Sequence, residues 1–530
     1  MIGVLFPATS SEAGRLVLAA LRRSVSATQA YPIARAMLST QPAPAIVVVV
    51  DAPDDWGDVL VEWLDAHAVK LVAFGRLPRA LAQRLGCEGR TWPENLVAAA
   101  RSAPALSGHD ASSAAQVCYG EHAAVLGGRA WVRPFERFDF TDEWNNLGYG
   151  AIRADQSIWA VSQPLDVPDA ARLASVEIDG ASTFAYAALW QQGPSSVLWF
   201  NRAVGPCDSF EWRLVERFLC DHRAADLPCQ PVLSEIPWGY DAAITSRLDC
   251  DEDIESARPL WQAYQRLGVP FSLAIHTSNL RDDTHFGMLR EFASAADTAL
   301  LSHTATHAPN WGGSYEAARA EGAESMERIE AVTGQRVRYA VSPFHQSPDY
   351  ALAGLCDAGY AGCVGGIIRN DPEFLIARGG SLAGLSQGFT GHSQQTMLHG
   401  DCMLVSGDPL AVFKEAFDLA YETKTLFGYL DHPFSPRYQY GWPDEAVRID
   451  AHEKFVAYIR ARAHKPLFMN ENVALDFLAA KSSLQVVEQA GAFRFIGGFS
   501  TVDVAAPHAL PFAVEYRGQR VPVTGEGLPR

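Results

Sequence analysis

The segment Ser302-His303-Thr304-Ala305-Thr306-His307 follows a short apolar run, residues 299–302, that is typical of a buried β-strand. Polar side chains also follow two other apolar runs, in Arg247-Leu248-Asp249-Cys250-Asp251 and in Tyr429-Leu430-Asp431-His432. Enzymes built on (β/α) barrels place their reactive groups at the carboxyl ends of the strands. The three segments therefore predict one reactive site at one end of such a barrel.

Strand–helix alternation around these segments supports that architecture. Apolar runs predict strands, and stretches with helical periodicity separate them. The predicted strands are Ala242–Leu248, Pro270–Ile275, Ala299–Ser302, Arg338–Ser342 and Leu426–Leu430. The predicted helices are Ile254–Leu267, Tyr315–Thr333, Pro348–Ala358 and Phe413–Glu422. We therefore predict a (β/α) barrel-type domain over residues 236–480.

A separate α/β domain is predicted to precede the barrel. Short apolar strands alternate there with amphipathic stretches, which is typical of a parallel sheet flanked by helices. The predicted strands are Ile2–Ala8, Ala45–Asp51 and Lys70–Phe74. A proline-rich stretch at residues 227–241 marks the boundary, so this accessory domain covers residues 1–235. Residues 481–530 alternate like strands and predict a small β-rich C-terminal segment.

The composition is that of a folded globular protein with an acidic surface. The 530 residues include 61 acidic and 43 basic side chains, for a formal net charge of -18. Nucleic acids and anionic membranes recruit basic patches, so we expect neither as the main partner. Nine scattered cysteines suggest no disulfide framework. The first apolar run has no basic residue before it, and no run approaches the ~20 residues of a membrane span. We expect a cytoplasmic protein with access to the inner face of the membrane, in an oligomeric state that the sequence leaves open.

Two histidines four residues apart can bind one metal ion, and we expect His303 and His307 to face the same side of a helical turn. An aspartate from the neighbouring strand would complete a set of two imidazoles and one carboxylate, while another aspartate serves as general base. Such a set leaves coordination positions open for water and substrate, as hydrolytic sites require. We therefore predict a divalent metal cofactor, with Zn2+ favoured by these ligands.

Taken in order, these motifs resemble those of the polysaccharide deacetylase family, carbohydrate esterase family 4, which shares the NodB homology domain. The resemblance covers residues 240–475. The family's H-S/T-x-x-H motif is matched at His303 and His307, which implies that both are metal ligands. The resemblance implies Asp251 as the third ligand, with Asp253 as an alternative.

The resemblance also implies acid–base roles. Asp249 would be the general base. The family's late motif, a strand that ends in histidine, is matched at His432, which would be the general acid. The only candidate for the family's fourth motif is Asp401.

The third motif departs from the family pattern. Val341 stands where the family has an arginine that orients the base. Arg247 and Arg338 are candidate substitutes that could orient Asp249 instead. The following proline–aromatic pair is kept, so the backbone N–H of Phe344 is a candidate for stabilising the oxyanion.

The N-terminal domain carries a looser resemblance. Residues 195–205, SSVLWFNRAVG, are similar to the closing segment of class I amidotransferase-like domains. That family has a cysteine nucleophile at a sharp turn, where this chain has Gly75-Arg76-Leu77. The resemblance implies an accessory domain without the catalytic cysteine.

The leading hypothesis is a de-N-acetylase that acts on an N-acetylated sugar, free or lipid-linked, in polysaccharide or lipopolysaccharide assembly. An amidase for a small non-sugar amide is an alternative, and the altered third motif favours a catalytically silent binding or assembly protein as another. Aromatic side chains near the motifs are candidate stacking platforms for a sugar: Trp311, Phe344, Tyr438, Tyr440 and Trp442. We expect His345, His392 and His399 to be structural or rim-lining residues rather than ligands.

Overall fold

A computed structural model describes most of the 530 residues. The described residues are 1–92, 94, 115–134, 137–139, 151–153, 161–178, 180–191, 193–202, 209–365, 378–385, 388–394, 396–497, 510–524 and 527–529. Among these residues, no helix combines the length and hydrophobicity needed to cross a membrane.

The N-terminal domain contains a mixed sheet, of which nine strands lie in the described residues. Their order is Ala30–Pro32, Ile2–Leu5, Ile46–Val50, Lys70–Phe74, Ser196–Phe200, Ala181–Trp190, Arg172–Ile178, Ala115–Tyr119 and Trp131–Pro134. The first five strands pair in parallel, as predicted, and the others pair antiparallel. Strands Arg172–Ile178 and Ala181–Trp190 are joined by a short connection that includes Gly180, whose φ is 79°, and a short turn can join only antiparallel neighbours.

The helices of this domain carry its two apolar layers. They are Ser11–Val25, Gly57–Ala66, Arg79–Arg84 and Ser209–Cys220. One layer packs against the barrel as well, so a single buried apolar cluster includes residues of both domains, such as Leu21 and Phe427.

The second domain is a parallel sheet flanked by helices, the arrangement predicted for a (β/α) barrel. Its described strands run in the order Gly380–Ser381, Thr390–Ser393, Gly362–Gly365, Tyr339–Val341, Thr298–Ser302, Phe271–Ile275, Ala242–Cys250, Phe427–Asp431 and Thr396–Met397. Pro466–Met469 pairs with the first half of Ala242–Cys250. The first strand of the series is antiparallel to its neighbour, and the other pairs are parallel. The carboxyl ends of the parallel strands therefore share one edge.

Four of the seven described helices that flank the parallel sheet were predicted. The seven are Arg258–Leu267, Asp283–Ser294, Tyr315–Thr333, Asp349–Ala358, Ala411–Thr423, Glu445–Arg462 and Glu471–Ser483. The predicted helix over residues 254–267 divides into a 3-10 turn, Ile254–Ala257, and an α-helix that begins at Arg258, because Pro259 can occupy only the first turn of a helix.

The C-terminal segment forms two small antiparallel sheets. Gln485–Gln489 pairs with Ala492–Ile496, which also pairs with Leu528–Pro529. Ala513–Tyr516 pairs with Gln519–Pro522 and with Val232–Leu233, a strand from the proline-rich boundary. The C-terminal segment is thus tied to the junction between the two larger domains.

Candidate active site

Three ligand-type atoms from two strand ends meet at the edge of the sheet that the carboxyl ends of the parallel strands share. The Nε2 atoms of His303 and His307 are 3.1 Å apart, and each lies 3.3 Å from Oδ1 of Asp251. Asp251 Oδ1 is buried and has no hydrogen-bond partner among the described residues. A buried anionic oxygen without a donor is costly unless a cation neutralises it. These residues therefore fit a divalent metal ion.

The ring of His303 is oriented for ligation by a backbone contact. Its Nδ1 lies 3.1 Å from the carbonyl oxygen of Val341. A carbonyl oxygen can only accept, so Nδ1 carries a proton, and Nε2 is the ring nitrogen that faces Asp251. The pKa of His307 is lowered to about 3, by burial and then by the nearby His303, which keeps its ring neutral.

The histidine segment does not form the helical turn that its spacing predicted. Thr304 and His307 both have left-handed backbone angles, with φ of 72° and 57°. The backbone is held in this bend because the N–H of His307 donates to the Thr304 hydroxyl at 2.7 Å. The Glu321 carboxylate accepts from the N–H groups of Ala305 at 3.0 Å and Thr306 at 2.9 Å. Side-chain contacts, including one from a helix further along the chain, thus bring the two imidazoles together.

The predicted base, Asp249, is paired with Arg247 inside the barrel. Arg247 Nε is 2.5 Å from Oδ1 of Asp249, and Nη2 is 3.0 Å from Oδ2. The two side chains are two residues apart on one strand, so they leave it on the same face. Burial raises the pKa of Asp249, but Arg247 and His303 outweigh it and lower the pKa to about 2. Asp249 is therefore ionised at neutral pH.

The predicted acid, His432, lies across the site from the histidine pair. Its Nε2 is 3.5 Å from Oδ2 of Asp251. The Tyr440 ring stacks on it with centroids 4.2 Å apart and an interplanar angle of 14°. On its other side, Nδ1 of His432 is 2.8 Å from Nε2 of His399. The structure thus brings His432 to the same centre as Asp251, His303 and His307.

Solved structures of family 4 carbohydrate esterases are similar to this chain. A protein assigned as a polysaccharide deacetylase from Mycobacterium smegmatis is 14% identical, with 48% of this chain and 97% of that chain covered and a TM-score of 0.38. An acetyl xylan esterase from Clostridium thermocellum, solved with a cobalt ion, is 10% identical, with 44% of this chain and 89% of that chain covered and a TM-score of 0.30. A family 4 pseudoenzyme from Bacillus anthracis is 11% identical, with 44% of this chain and 65% of that chain covered and a TM-score of 0.30.

These structures come from the family whose motifs the sequence resembles. None of the three is described as an amidotransferase, so the N-terminal resemblance stays a prediction. No family model matches the sequence, and no curated protein does.

The two candidate substitutes for the third-motif arginine are clearly separated by the structure. Arg247 contacts Asp249, as described above. Arg338 instead pairs with Asp476 and precedes strand Tyr339–Val341, at the end of the strand away from the site. Arg247 is therefore the arginine that orients Asp249.

Other candidates lie outside the site. Asp253 accepts a hydrogen bond from the backbone N–H of Glu255 at the start of the following helical turn, so it caps that turn. Asp401 is 65% exposed and reaches only to 4.0 Å from Nδ1 of His399. Neither residue touches the three ligand-type atoms in the described structure.

The aromatic candidates fall into two groups. Trp311 and Trp442 are fully buried and cannot stack on a ligand, whereas Phe344 and Tyr438 are 45% and 42% exposed. The Phe344 ring lies 4.5 Å from the His307 ring, on a left-handed turn with φ of 53°. A non-glycine residue in this conformation is strained, and such strain often marks functional sites. Tyr440 is half-buried, and its hydroxyl donates to Oδ2 of Asp251 at 3.1 Å.

Two site contacts were not predicted from the sequence. The contact between His399 and His432 joins residues 33 positions apart, and the one between Tyr440 and Asp251 joins residues 189 positions apart. Neither pair shows a spacing that would have indicated contact. His399 was expected to be structural or rim-lining, and Tyr440 to be a candidate stacking platform.

Proposed function

We propose that this chain is a metal-dependent hydrolase that removes the acetyl group from an N-acetylated sugar. One observation carries the proposal: the imidazoles of His303 and His307 lie against the buried Oδ1 of Asp251, which has no hydrogen-bond donor among the described residues. The ionised carboxylate of Asp249 and the imidazole of His432 border the same centre. Hydrolysis of an amide needs this combination of an electrophile, a base and an acid.

Asp251, His303 and His307 would hold the divalent ion, for which Zn2+ suits two imidazoles and one carboxylate. When bound, such an ion supplies Lewis acidity, which polarises a carbonyl group and lowers the pKa of water. His303 is oriented for this role by its Nδ1 contact with Val341. Tyr440 orients the carboxylate through its hydroxyl contact with Oδ2, which leaves Oδ1 free for the ion.

Asp249 would accept the proton of the attacking water. Its pairing with Arg247 keeps the carboxylate ionised and fixes its orientation in the barrel. The backbone N–H of Phe344 is proposed to stabilise the negative oxygen of the tetrahedral intermediate. His432 would then donate a proton to the nitrogen of the leaving amine, which is a poor leaving group unless protonated.

A sugar substrate is favoured by the exposed aromatic rings beside these groups. Phe344 and Tyr438 present apolar faces to solvent near His307 and Tyr440. The C–H faces of pyranose rings stack on such surfaces. We propose an N-acetylated carbohydrate, free or lipid-linked, as substrate, in polysaccharide or lipopolysaccharide assembly in the cytoplasm.

A catalytically silent scaffold is less well supported than an enzyme. The main support for a silent scaffold was that Val341 stands where the third motif has an arginine. Arg247 supplies a bidentate contact to Asp249 from a different position in the chain, so the base keeps a guanidinium partner.

The test is to measure divalent metal content and acetate release with the full chain and a panel of N-acetylated sugars and small amides. His303→Ala and His307→Ala should each lower metal content and abolish acetate release. His464→Ala changes an exposed histidine of the same domain and should leave both unchanged. Full metal content in the double variant would refute the ligand assignment, and release from small amides alone would favour the amidase.

A further inference from the structure

His399 makes a contact that the proposed mechanism does not explain. It is 8% exposed, and its Nε2 lies 2.8 Å from Nδ1 of His432. The rings are tilted by 57°, with centroids 4.9 Å apart, so they meet edge to edge through their nitrogens. The two nitrogens are therefore within hydrogen-bond distance.

The backbone holds His399 firmly in this place. The N–H of Gly400 donates to the carbonyl oxygen of Tyr440 at 3.0 Å. Gly400 packs so closely on Gly441 that an added Cβ would lie 2.3 Å from the Gly441 oxygen. The segment carrying His399 is thus fixed against the segment whose Tyr440 ring stacks on His432.

We propose that His399 is a positioning residue for His432: Nε2 of His399 accepts the Nδ1–H of His432 and thereby directs the His432 Nε2 toward the substrate. This inference rests on the proposed role of His432 as general acid. A catalytic imidazole needs a partner on its second nitrogen to fix its tautomer and orientation. In this chain the partner is a second imidazole rather than a carboxylate.

The adjacent carboxylate of Asp431 is already engaged elsewhere. Its Oδ2 is 2.9 Å from Nε2 of His452 and 3.4 Å from Nη1 of Arg448, and its Oδ1 accepts from the Trp442 indole at 3.3 Å. Oδ1 lies 3.8 Å from the His399 Nε2, beyond hydrogen-bond distance. Asp431 therefore holds the local structure and leaves His399 as the partner of His432.

The protonation state of His399 agrees with its role as acceptor. Burial, and then the nearby His432, lower the pKa of His399 to about 4. Its neutral ring has one nitrogen lone pair, which can lie on Nε2. An imidazolium at His432 would carry a proton on Nδ1 and can only donate in this contact.

A second metal ion is the alternative for this cluster, since His399, Asp431 and His432 offer three ligand-type atoms close together. The hydrogen bond is favoured for two reasons. The two nitrogens are at hydrogen-bond distance, and both oxygens of Asp431 already accept from other side chains. A second ion would appear as a second equivalent of divalent metal.

The decisive variants are His399→Ala, which removes the acceptor, and His399→Gln, whose side-chain oxygen can replace Nε2. The alanine variant should lower kcat by about 10- to 100-fold, as loss of a supporting partner commonly does, and leave KM and metal content unchanged. The glutamine variant should restore most of the rate. In a His432→Ala background the alanine change should have almost no further effect, because the two residues act as one unit. Asp401→Ala, which alters only the exposed neighbour of His399, should behave like the wild type.

Ring-nitrogen NMR of the metal-loaded full chain tests the contact independently of any activity. The Nδ1 resonance of His432, identified by its loss in His432→Ala, should shift in His399→Ala and return toward its original position in His399→Gln. An unchanged resonance, a wild-type kcat in His399→Ala, or the loss of one of two bound metal ions would each overturn the proposal. If the wild type releases no acetate but the resonance shifts, the proposed function fails while the His399–His432 contact stands.

Discussion

Arg247 and Asp249 form a two-point ion pair that lies entirely within the barrel, with side chains 0% and 1% exposed. The pair is local to one strand, whereas the motifs that the sequence resembles would supply the arginine from a later segment. A guanidinium is suited to this role because its planar fork matches both carboxylate oxygens. The orientation of the proposed base, Asp249, is therefore fixed within strand Ala242–Cys250 itself.

Replacing Arg247 with glutamine should shift the acid limb of the pH–rate profile upward. Arg247 is the main group that lowers the pKa of Asp249, so without it burial would raise that pKa from about 2. A pH series of kcat/KM on an N-acetylated sugar measures the limb directly. We also expect kcat to fall, since Asp249 loses its orientation.

Arg338→Gln is the matched control for this experiment. Arg338 pairs with Asp476 just as closely but lies away from the site, so the acid limb should not move. Equal profiles for the two variants would mean that Arg247 does not act on the base. Circular dichroism of each variant would establish that both remain folded.

The meeting of the three motifs could be predicted because it depends on the order of the strands. Asp249 and Asp251 lie at the end of one strand, His303 follows the next strand but one, and His432 follows strand Phe427–Asp431. Parallel neighbours bring their carboxyl ends to one edge whatever the details of packing. Apolar runs in the sequence were enough to locate those strands.

The finer geometry could not be predicted, because it depends on contacts between distant segments. The bend at His303 and His307 depends on Glu321, which reaches back from the next helix. The contact between His399 and His432 depends on the close packing of two loops. No periodic pattern in the sequence records such contacts. The antiparallel half of the N-terminal sheet was missed for a similar reason, since short strands do not reveal their pairing direction.

Glu216→Gln should destabilise the whole chain. Glu216 and Arg378 are buried partners, 1% and 2% exposed, that join the N-terminal domain to the barrel through contacts of 2.7 and 2.9 Å. Loss of Glu216 leaves the buried Arg378 with the more distant Glu235 carboxylate, at 4.0 Å, and removal of one partner of a buried ion pair costs about 3–5 kcal/mol. Chemical denaturation measures the change in the free energy of unfolding.

The control for that ion pair is Asp55→Asn. It breaks the exposed pair with Arg35, whose side chains are 45% and 69% exposed, and should cost less than about 1 kcal/mol. Similar small losses for both variants would show that the buried pair does not hold the two domains together.

Glu471→Gln should stabilise the protein at alkaline pH. Glu471 is fully buried in the barrel, and burial raises its pKa to about 7, against the opposing influence of Arg247. Its folded pKa lies above the unfolded one, so stability present in the acid range is lost as pH rises through about 7. The glutamine variant should therefore exceed the wild type in free energy of unfolding by up to about 3 kcal/mol at high pH, and by almost nothing near about pH 4.5. Denaturation at both pH values checks the prediction, and an equal effect at both would contradict it.

His432→Ala should separate the acid step from the base step. The proton from His432 is needed when the amine leaves, so the contribution of His432 to the rate depends on how basic that amine is. With an N-acetylated sugar the variant should lose about 10²- to 10⁴-fold in rate. With an acetanilide-type substrate, whose leaving amine is far less basic, the loss should be much smaller. Metal content should stay the same, because His432 contacts only the second oxygen of Asp251.

Asp249→Asn is the matched comparison for this last experiment. The base acts when water attacks, before the amine leaves, so its loss should slow both substrates by a similar factor. Asparagine keeps the shape of the side chain, but one of the two oxygens that accept from Arg247 becomes an N–H2 donor, so circular dichroism must show that the variant stays folded. If both variants responded to the leaving amine in the same way, the separate roles of Asp249 and His432 would be wrong. If His432→Ala emptied the metal site instead, His432 would be a ligand, and the acid would have to be sought among its neighbours.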